Sequence, residues 1–153
     1  MNNYNKGNGK NFNNTNKPYN NEQPDIGPFL KEITKENLPE LINKTADNVA
    51  KCIKKGSNSY TQIRKFYDEL LSLQNQMKKY KQSKSDKESF EIILPMIYLV
   101  KSKAAYAKGK GNINDNLESF FKFYIEKITD EEILKYFMLY FEAVLGYLRS
   151  YTK

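Results

Sequence analysis

The side chains best suited to chemistry in this sequence are basic, and they are concentrated in the middle of the chain. Residues 51–110 carry fourteen basic and five acidic side chains, whereas residues 1–50 carry six of each and residues 111–153 carry five basic and seven acidic ones. The formal excess of +7 therefore comes from the middle segment. Positive charge segregated in this way is typical of proteins that bind a polyanion. A solvated lysine-rich surface without a ligand explains the same charge and stays open as an alternative.

Within this segment the basic residues recur at spacings that place them on common helix faces. Lys101 and Lys108 are seven residues apart, as are Lys103 and Lys110, which predicts two neighbouring rows of charge at the end of one helix. Two further basic pairs stand before a predicted helix stop and in the first turns of the next predicted helix. Cations near a helix N-terminus oppose the macrodipole, so a bound phosphate would supply the missing compensation. The candidate phosphate-binding residues are Lys54, Lys55, Arg64, Lys65, Lys101, Lys103, Lys108 and Lys110.

The other residue types do not form a catalytic or metal-binding set. The sequence contains no histidine and one cysteine, Cys52, which rules out an internal disulfide, a thiol–imidazole pair and the usual zinc ligands. The acidic run at residues 130–132 comes closest to a carboxylate site, but it opens a predicted helix, whose positive N-terminal end explains it. The glycines lack the remaining features of a phosphate-binding loop. We therefore expect a protein that binds rather than catalyses, with no catalytic residue, no metal and no cofactor.

Apolar periodicity predicts an all-α fold, a bundle of about five helices. The clearest pattern runs from Ile63 to Tyr80 in steps of three and four, inside a helix expected from about Tyr60 to Gln82. Four predicted helix starts carry a capping-box pattern, namely Asn37 with Glu40, Ser59 with Gln62, Ser85 with Glu88 and Thr129 with Glu132. Pro95 lies inside the third long helix, where it removes a hydrogen bond at a cost of about 3 kcal/mol, so we expect a kink or a break there.

The chain is expected to divide into a tail and one folded domain. Residues 1–28 are dominated by Asn and Gly and bury too little apolar surface to offset the entropy of ordering, which predicts a disordered tail. Residues 29–153 are expected to form a single all-helical domain. No apolar run is long enough for a membrane span and no secretory signal is present, so we expect a cytoplasmic protein without membrane contact. Aromatic residues at helical spacing are expected in the core rather than on a base-stacking surface, and these are Phe66, Phe120, Phe121 and Phe137.

Three segments carry motifs that occur in the same order in one known family. Residues 60–66 resemble its Thr-x-x-Ile-Arg-Lys opening of a long helix. Residues 99–110 are similar to its Lys-Pro-Lys-Leu-Ala-Tyr-x-x-Gly-Arg segment, with Ser102 in place of the usual proline and Lys110 in place of the usual arginine. Residues 141–147 resemble its closing Glu-Ala-x-x-x-Tyr helix. Together these segments resemble the small subunit of type III-A CRISPR effector complexes, called Csm complexes.

The resemblance implies a non-catalytic subunit that is stacked in several copies along an inner filament. Its partners would be the guide RNA, the target single-stranded RNA, the backbone and large subunits of the complex, and further copies of itself. It would help hold the target RNA on the guide in antiviral defence through sequence-independent backbone contacts, which makes the eight basic residues named above its RNA-binding candidates. A helical scaffold or adaptor that binds proteins and has no direct RNA role is the alternative, and an enzyme built on the acidic run is a weaker one.

Overall fold

A computed structural model describes residues 25–55 and 59–152 of the chain. Five long helices account for most of these residues, and no strand occurs among them, which confirms the predicted all-α bundle. Most of the expected Asn-rich tail, residues 1–24, lies outside the described residues. No helix within residues 25–55 and 59–152 combines the length and apolar character that crossing a membrane requires.

The first helix, α1, begins at the predicted place but without the predicted capping box. It consists of an α-helical turn, a π-helical stretch and a longer α-helical part, which are Leu38–Glu40, Leu41–Thr45 and Ala46–Lys54. The Asn37 side chain makes no bond to the helix, because its Oδ1 accepts a hydrogen bond from the Thr34 amide at 2.8 Å. The Asn37 side chain is therefore hydrogen-bonded within the preceding turn and does not cap α1.

Four further helices complete the bundle: α2 Tyr60–Tyr80, α3 Asp86–Gly109, α4 Asp115–Ile125 and α5 Glu131–Tyr151. The cap predicted at Ser85 is confirmed, since its hydroxyl accepts from the Glu88 amide at 3.2 Å. The cap predicted at Ser59 makes no side-chain bond to α2. At α5 the cap is Asp130 rather than Thr129, and its carboxylate accepts from the Ile133 amide at 2.9 Å. A charged acceptor stabilises an exposed helix N-terminus more than a hydroxyl does.

Helix α3 continues through Pro95. Of the two outcomes predicted there, a kink or a break, the break does not occur. Proline leaves one carbonyl without its amide partner, but Pro95 lies on the exposed side of the helix, where water can satisfy that carbonyl. On the other side Ile93, Ile97 and Val100 are fully buried. Burying such side chains stabilises by about 1.5–3 kcal/mol each, which exceeds the local cost of the proline.

The core is centred on α4 and the aromatic rings around it. Phe120 packs against Tyr124, Phe137 and Phe141 at centroid distances of 5.0, 5.8 and 5.7 Å. The four phenylalanines predicted for the core are all buried, so that prediction is confirmed. Helix α1 packs against α5, α2 packs against α3 and α5, and α3 packs against α4. These contacts bring the last turns of α1 and α5 to the same end of the bundle as the first turn of α2.

The packed part of the chain reaches back beyond residue 29, where the folded domain was expected to begin. Ile26 is only 1% exposed and belongs to the core. Its amide donates to Asn116 Oδ1 at 3.3 Å, and Asn116 Nδ2 in turn donates to the Cys52 carbonyl at 3.2 Å. Ile26 therefore belongs structurally with the helical domain rather than with the tail.

Candidate nucleic-acid interface

Five basic side chains contributed by three helices lie at one end of the bundle, and we call them the basic end cluster: Lys54, Lys55, Arg64, Lys65 and Arg149. Two ring contacts hold this end together. Lys54 Nζ lies 4.2 Å from the Tyr151 ring centroid, which joins α1 to α5. Arg149 Cζ lies 5.1 Å from the Tyr60 ring centroid, which joins α5 to α2. The fold thus gathers basic residues that are up to 95 positions apart in the sequence.

Arg64 occupies the first turns of α2 in an environment that favours its charge. A side-chain hydrogen bond with Tyr60, followed by the charge of Asp68, raises the pKa of Arg64. Its Nε lies 3.2 Å from Asp68 Oδ1, and both side chains are about half exposed. Its guanidinium also stands 5.3 Å from the Tyr67 ring centroid. An ion pair this exposed contributes only about 0–1 kcal/mol, so a phosphate could replace the carboxylate at small cost.

Lys55 and Lys65 are the exposed lysines of this cluster. Both are exposed, and neither forms an ion pair with another residue in the described part of the chain. The nearby carboxylate of Asp47 is already engaged by Lys51 at 3.2 Å and by the Tyr151 hydroxyl. The hydrogen bond from Tyr151 lowers the pKa of Asp47. Within residues 25–55 and 59–152, the positive charge at this end is therefore only partly compensated.

The basic residues of α3 are placed differently, because carboxylates of neighbouring helices engage three of them. Lys101 Nζ lies 2.8 Å from Glu126 Oε2, and Lys103 pairs with Glu69 of α2. Lys108 lies 2.7 Å from Asp115 Oδ1 and 3.2 Å from Glu118 Oε2 of α4. These ion pairs span the contacts that α3 makes with its two neighbours. The predicted rows of charge exist, but they face different neighbouring elements, and three of their four lysines form ion pairs there.

Between the two lysine rows, α3 exposes an apolar stripe. Tyr98, Leu99 and Tyr106 are 40%, 52% and 68% exposed, and Leu139 of α5 is the other large apolar side chain that the described residues expose to this degree. Lys110 Nζ stands 5.4 Å from the Tyr106 ring centroid. An exposed apolar face on a small domain commonly marks a contact surface.

The acidic run at the start of α5 has a structural role, as predicted. Asp130 caps the helix, Glu131 pairs with Lys81, and the Glu132 carboxylate accepts from the Tyr136 hydroxyl at 2.6 Å. A groove of about 770 Å³ lies beside this run, between α3 and α5. Within residues 25–55 and 59–152, no group of three or more carboxylate, thiol or imidazole side chains is arranged to hold a metal ion.

A comparison with protein families identifies the chain. The model of the family described as Csm2 Type III-A matches residues 36–153. The chain belongs to this family. As a Csm2 family member it is the small subunit of a multi-subunit Csm effector complex, which acts in CRISPR defence. No curated protein and no solved structure matches the chain.

The three segments that resemble the Csm small subunit fall at distinct places in this Csm2 fold. Residues 60–66 form the first turns of α2, residues 99–110 form the end of α3, and residues 141–147 lie within α5. Where the family usually has proline, the Ser102 hydroxyl donates to the Leu99 carbonyl at 2.9 Å. Proline could not make this bond, because its side chain carries no hydroxyl.

Arg149 is the basic residue of this Csm2 chain that sequence reasoning missed. It belongs to residues 111–153, whose net charge is negative. Counting charge by segment therefore does not single it out. Its position in the last turn of α5 also suits a cation for purely local reasons. A signal was nevertheless available, because Arg149 is one of only two arginines in the sequence.

Proposed function

We propose that this Csm2 family member is a non-catalytic, cytoplasmic RNA-binding subunit. It binds RNA phosphates without recognising the base sequence. Its RNA partners would be the guide RNA and the target single-stranded RNA. Its protein partners would be the backbone and large subunits and further copies of itself. In such a complex base pairing between guide and target reads the sequence, so the subunit needs only backbone contacts.

The basic end cluster carries this proposal. It concentrates five cations from three helices at one end of the bundle. Three of them, Lys55, Lys65 and Arg149, are exposed and lack a carboxylate partner among the described residues. An RNA phosphate would also compensate the unfavourable position of Arg64 and Lys65 at the positive end of α2. A cluster of this kind, lined with tyrosines, is suited to an RNA backbone.

The lysines of α3 are proposed as weaker contacts. Lys101, Lys103 and Lys108 would each have to exchange a carboxylate of their own protein for a phosphate of the RNA. The gain in counterion release is smaller for a cation that is already paired. Lys110 has only the Tyr106 ring beside it and remains the most available residue of this group.

The experiment is a salt titration of single-stranded RNA binding, followed by anisotropy of labelled poly(U) and poly(A). Wild-type protein is expected to bind both RNAs with similar affinity, and log affinity should fall with log salt by about 0.7 per phosphate neutralised. Replacing Lys55 and Lys65 together by glutamine should flatten that slope by roughly one unit. Replacing Lys101 and Lys103 should flatten it less. The same RNAs should stay intact with Mg²⁺ present.

The matched control is Lys78→Gln with Lys79→Gln. These lysines are exposed and lie on the same helix as Lys65, roughly 20 Å further along it at 1.5 Å per residue. They carry the same charge, so net charge alone predicts the same loss for both double variants. Equal losses would refute the assignment of the end cluster, and failure of the wild-type protein to bind either RNA would refute the RNA-binding role. Cleavage that disappears when Glu131 or Glu132 is changed would instead make the protein a nuclease.

The exposed stripe of α3 favours a second role, that of a scaffold that binds other protein subunits. Tyr98, Leu99 and Tyr106 present apolar surface whose flanking lysines are mostly held in ion pairs, as at many protein interfaces. Apolar association of this kind depends little on salt, whereas phosphate binding depends on it steeply. Salt dependence therefore separates the two roles.

A further inference from the structure

The two arginines of the chain converge on one tyrosine. Of the 25 basic residues only Arg64 and Arg149 are arginine, and every other one is lysine. They are 85 positions apart and lie on different helices, α2 and α5. Arg149 Cζ stands 5.1 Å from the Tyr60 ring centroid, and Arg64 follows Tyr60 by four residues, one turn further along the same face of α2. Because every other basic residue is lysine, we look for a property of arginine that lysine lacks to explain these two positions.

Local structure accounts for a cation at residue 149 but not for an arginine. The last turn of α5 would be stabilised by lysine as well, because its negative end favours any positive charge. Lysine also makes cation–π contacts in this protein, as Lys54 does with Tyr151 and Lys127 does with Phe123. What arginine adds is a planar fork of donors that fits two oxygens of one phosphate at once.

The donors of both forks are largely uncommitted. Arg149 forms no ion pair with any residue in the described part of the chain. Arg64 uses its Nε for Asp68 at 3.2 Å, and a guanidinium has five N–H donors in all. The Tyr60 hydroxyl, on the same face of α2, can donate its own O–H as well. Two guanidinium groups, one from each helix, therefore lie beside the Tyr60 side chain.

We propose that Arg149, together with Arg64 and the Tyr60 hydroxyl, binds one phosphodiester group of an RNA strand. We call this the arginine fork. It rests on the proposed RNA-binding function and adds to it a specific phosphate site with a residue outside the segments that motif reasoning singled out. Because α5 and α2 each supply one arginine, a bound phosphate would also bridge the two helices.

The test compares Arg149→Gln, Arg149→Lys and Lys127→Gln in the salt titration of poly(U) binding. Arg149→Gln is expected to weaken RNA binding about tenfold, which is the lower end of the range for losing hydrogen bonds to a charged group. It should also flatten the slope of log affinity against log salt by about 0.7. Arg149→Lys should keep most of the slope and still lose affinity, because it retains the charge without the fork. Lys127→Gln removes a cation from another aromatic ring, in the turn that follows α4, and should have a clearly smaller effect.

A double variant tests whether the two arginines share one phosphate. If they do, Arg64→Gln combined with Arg149→Gln should lose little more slope than either change alone, whereas additive losses would show two separate contacts and overturn the shared site. Melting followed by circular dichroism checks that each variant is folded. If wild-type protein binds RNA but Arg149→Gln behaves like Lys127→Gln, the arginine fork is wrong while the RNA-binding function stands. If wild-type protein does not bind RNA, the proposed function itself fails.

Discussion

Replacing Ile26 by alanine tests whether the helical domain begins before residue 29. The side chain is 1% exposed, and changing a buried isoleucine to alanine costs about 2–5 kcal/mol through lost transfer energy and the cavity left behind. We expect a value near the lower end, about 2–3 kcal/mol, because the partly buried Phe29 and Leu30 that follow in the chain can move partly into the space. For a protein of this size about 1 kcal/mol corresponds to roughly 2–4 °C in melting temperature. The expected shift is thus on the order of 5–10 °C.

Urea unfolding followed by circular dichroism measures the free energy of unfolding, with Leu139→Ala as the control. Leu139 is also apolar but is 41% exposed on α5, so its replacement should change stability by no more than about 0.5 kcal/mol. If Ile26→Ala is as mild as Leu139→Ala, Ile26 does not contribute to the cooperative core. The domain would then begin close to residue 29, as the composition of residues 1–28 predicted.

Two further predictions concern stability. The Tyr140 hydroxyl is buried and makes no hydrogen bond of normal geometry within the described part of the chain, and burial raises its pKa. Tyr140→Phe should therefore leave the free energy of unfolding in urea unchanged or raise it by up to about 1 kcal/mol, and a loss of about 2 kcal/mol would show that the hydroxyl has a partner. For Asp47, the Tyr151 hydrogen bond lowers the pKa below its ordinary 3.8, so the stability it contributes is present above that value and is lost as the pH falls through the lower folded-state pKa. Asp47→Asn should reduce the difference in stability between neutral and strongly acidic pH, and an unchanged difference would contradict this account.

Much of the fold could be predicted from the sequence because helices bury side chains at a regular period. Ile63, Phe66, Leu70, Leu73 and Met77 stand three or four residues apart, and all are buried along α2. The same reasoning placed the aromatic residues of α4 in the core. Where several side chains can cap a helix, sequence spacing does not choose between them. The start of α5 shows this, since Asp130 caps it and the neighbouring Thr129 does not.

For the candidate site too, the sequence predicts one part and the fold decides the rest. The sequence alone indicated that the middle of the chain is basic, that Arg64 and Lys65 open a helix, and that the chain resembles the Csm small subunit. Only the tertiary structure decided which cations are engaged within the protein. It pairs Lys101 and Lys103 with Glu126 and Glu69, and it brings Arg149 beside Tyr60. Periodicity reports which face of a helix is apolar, whereas the energy of a charge depends on what lies within a few ångströms of it, and those neighbours come from distant parts of the chain.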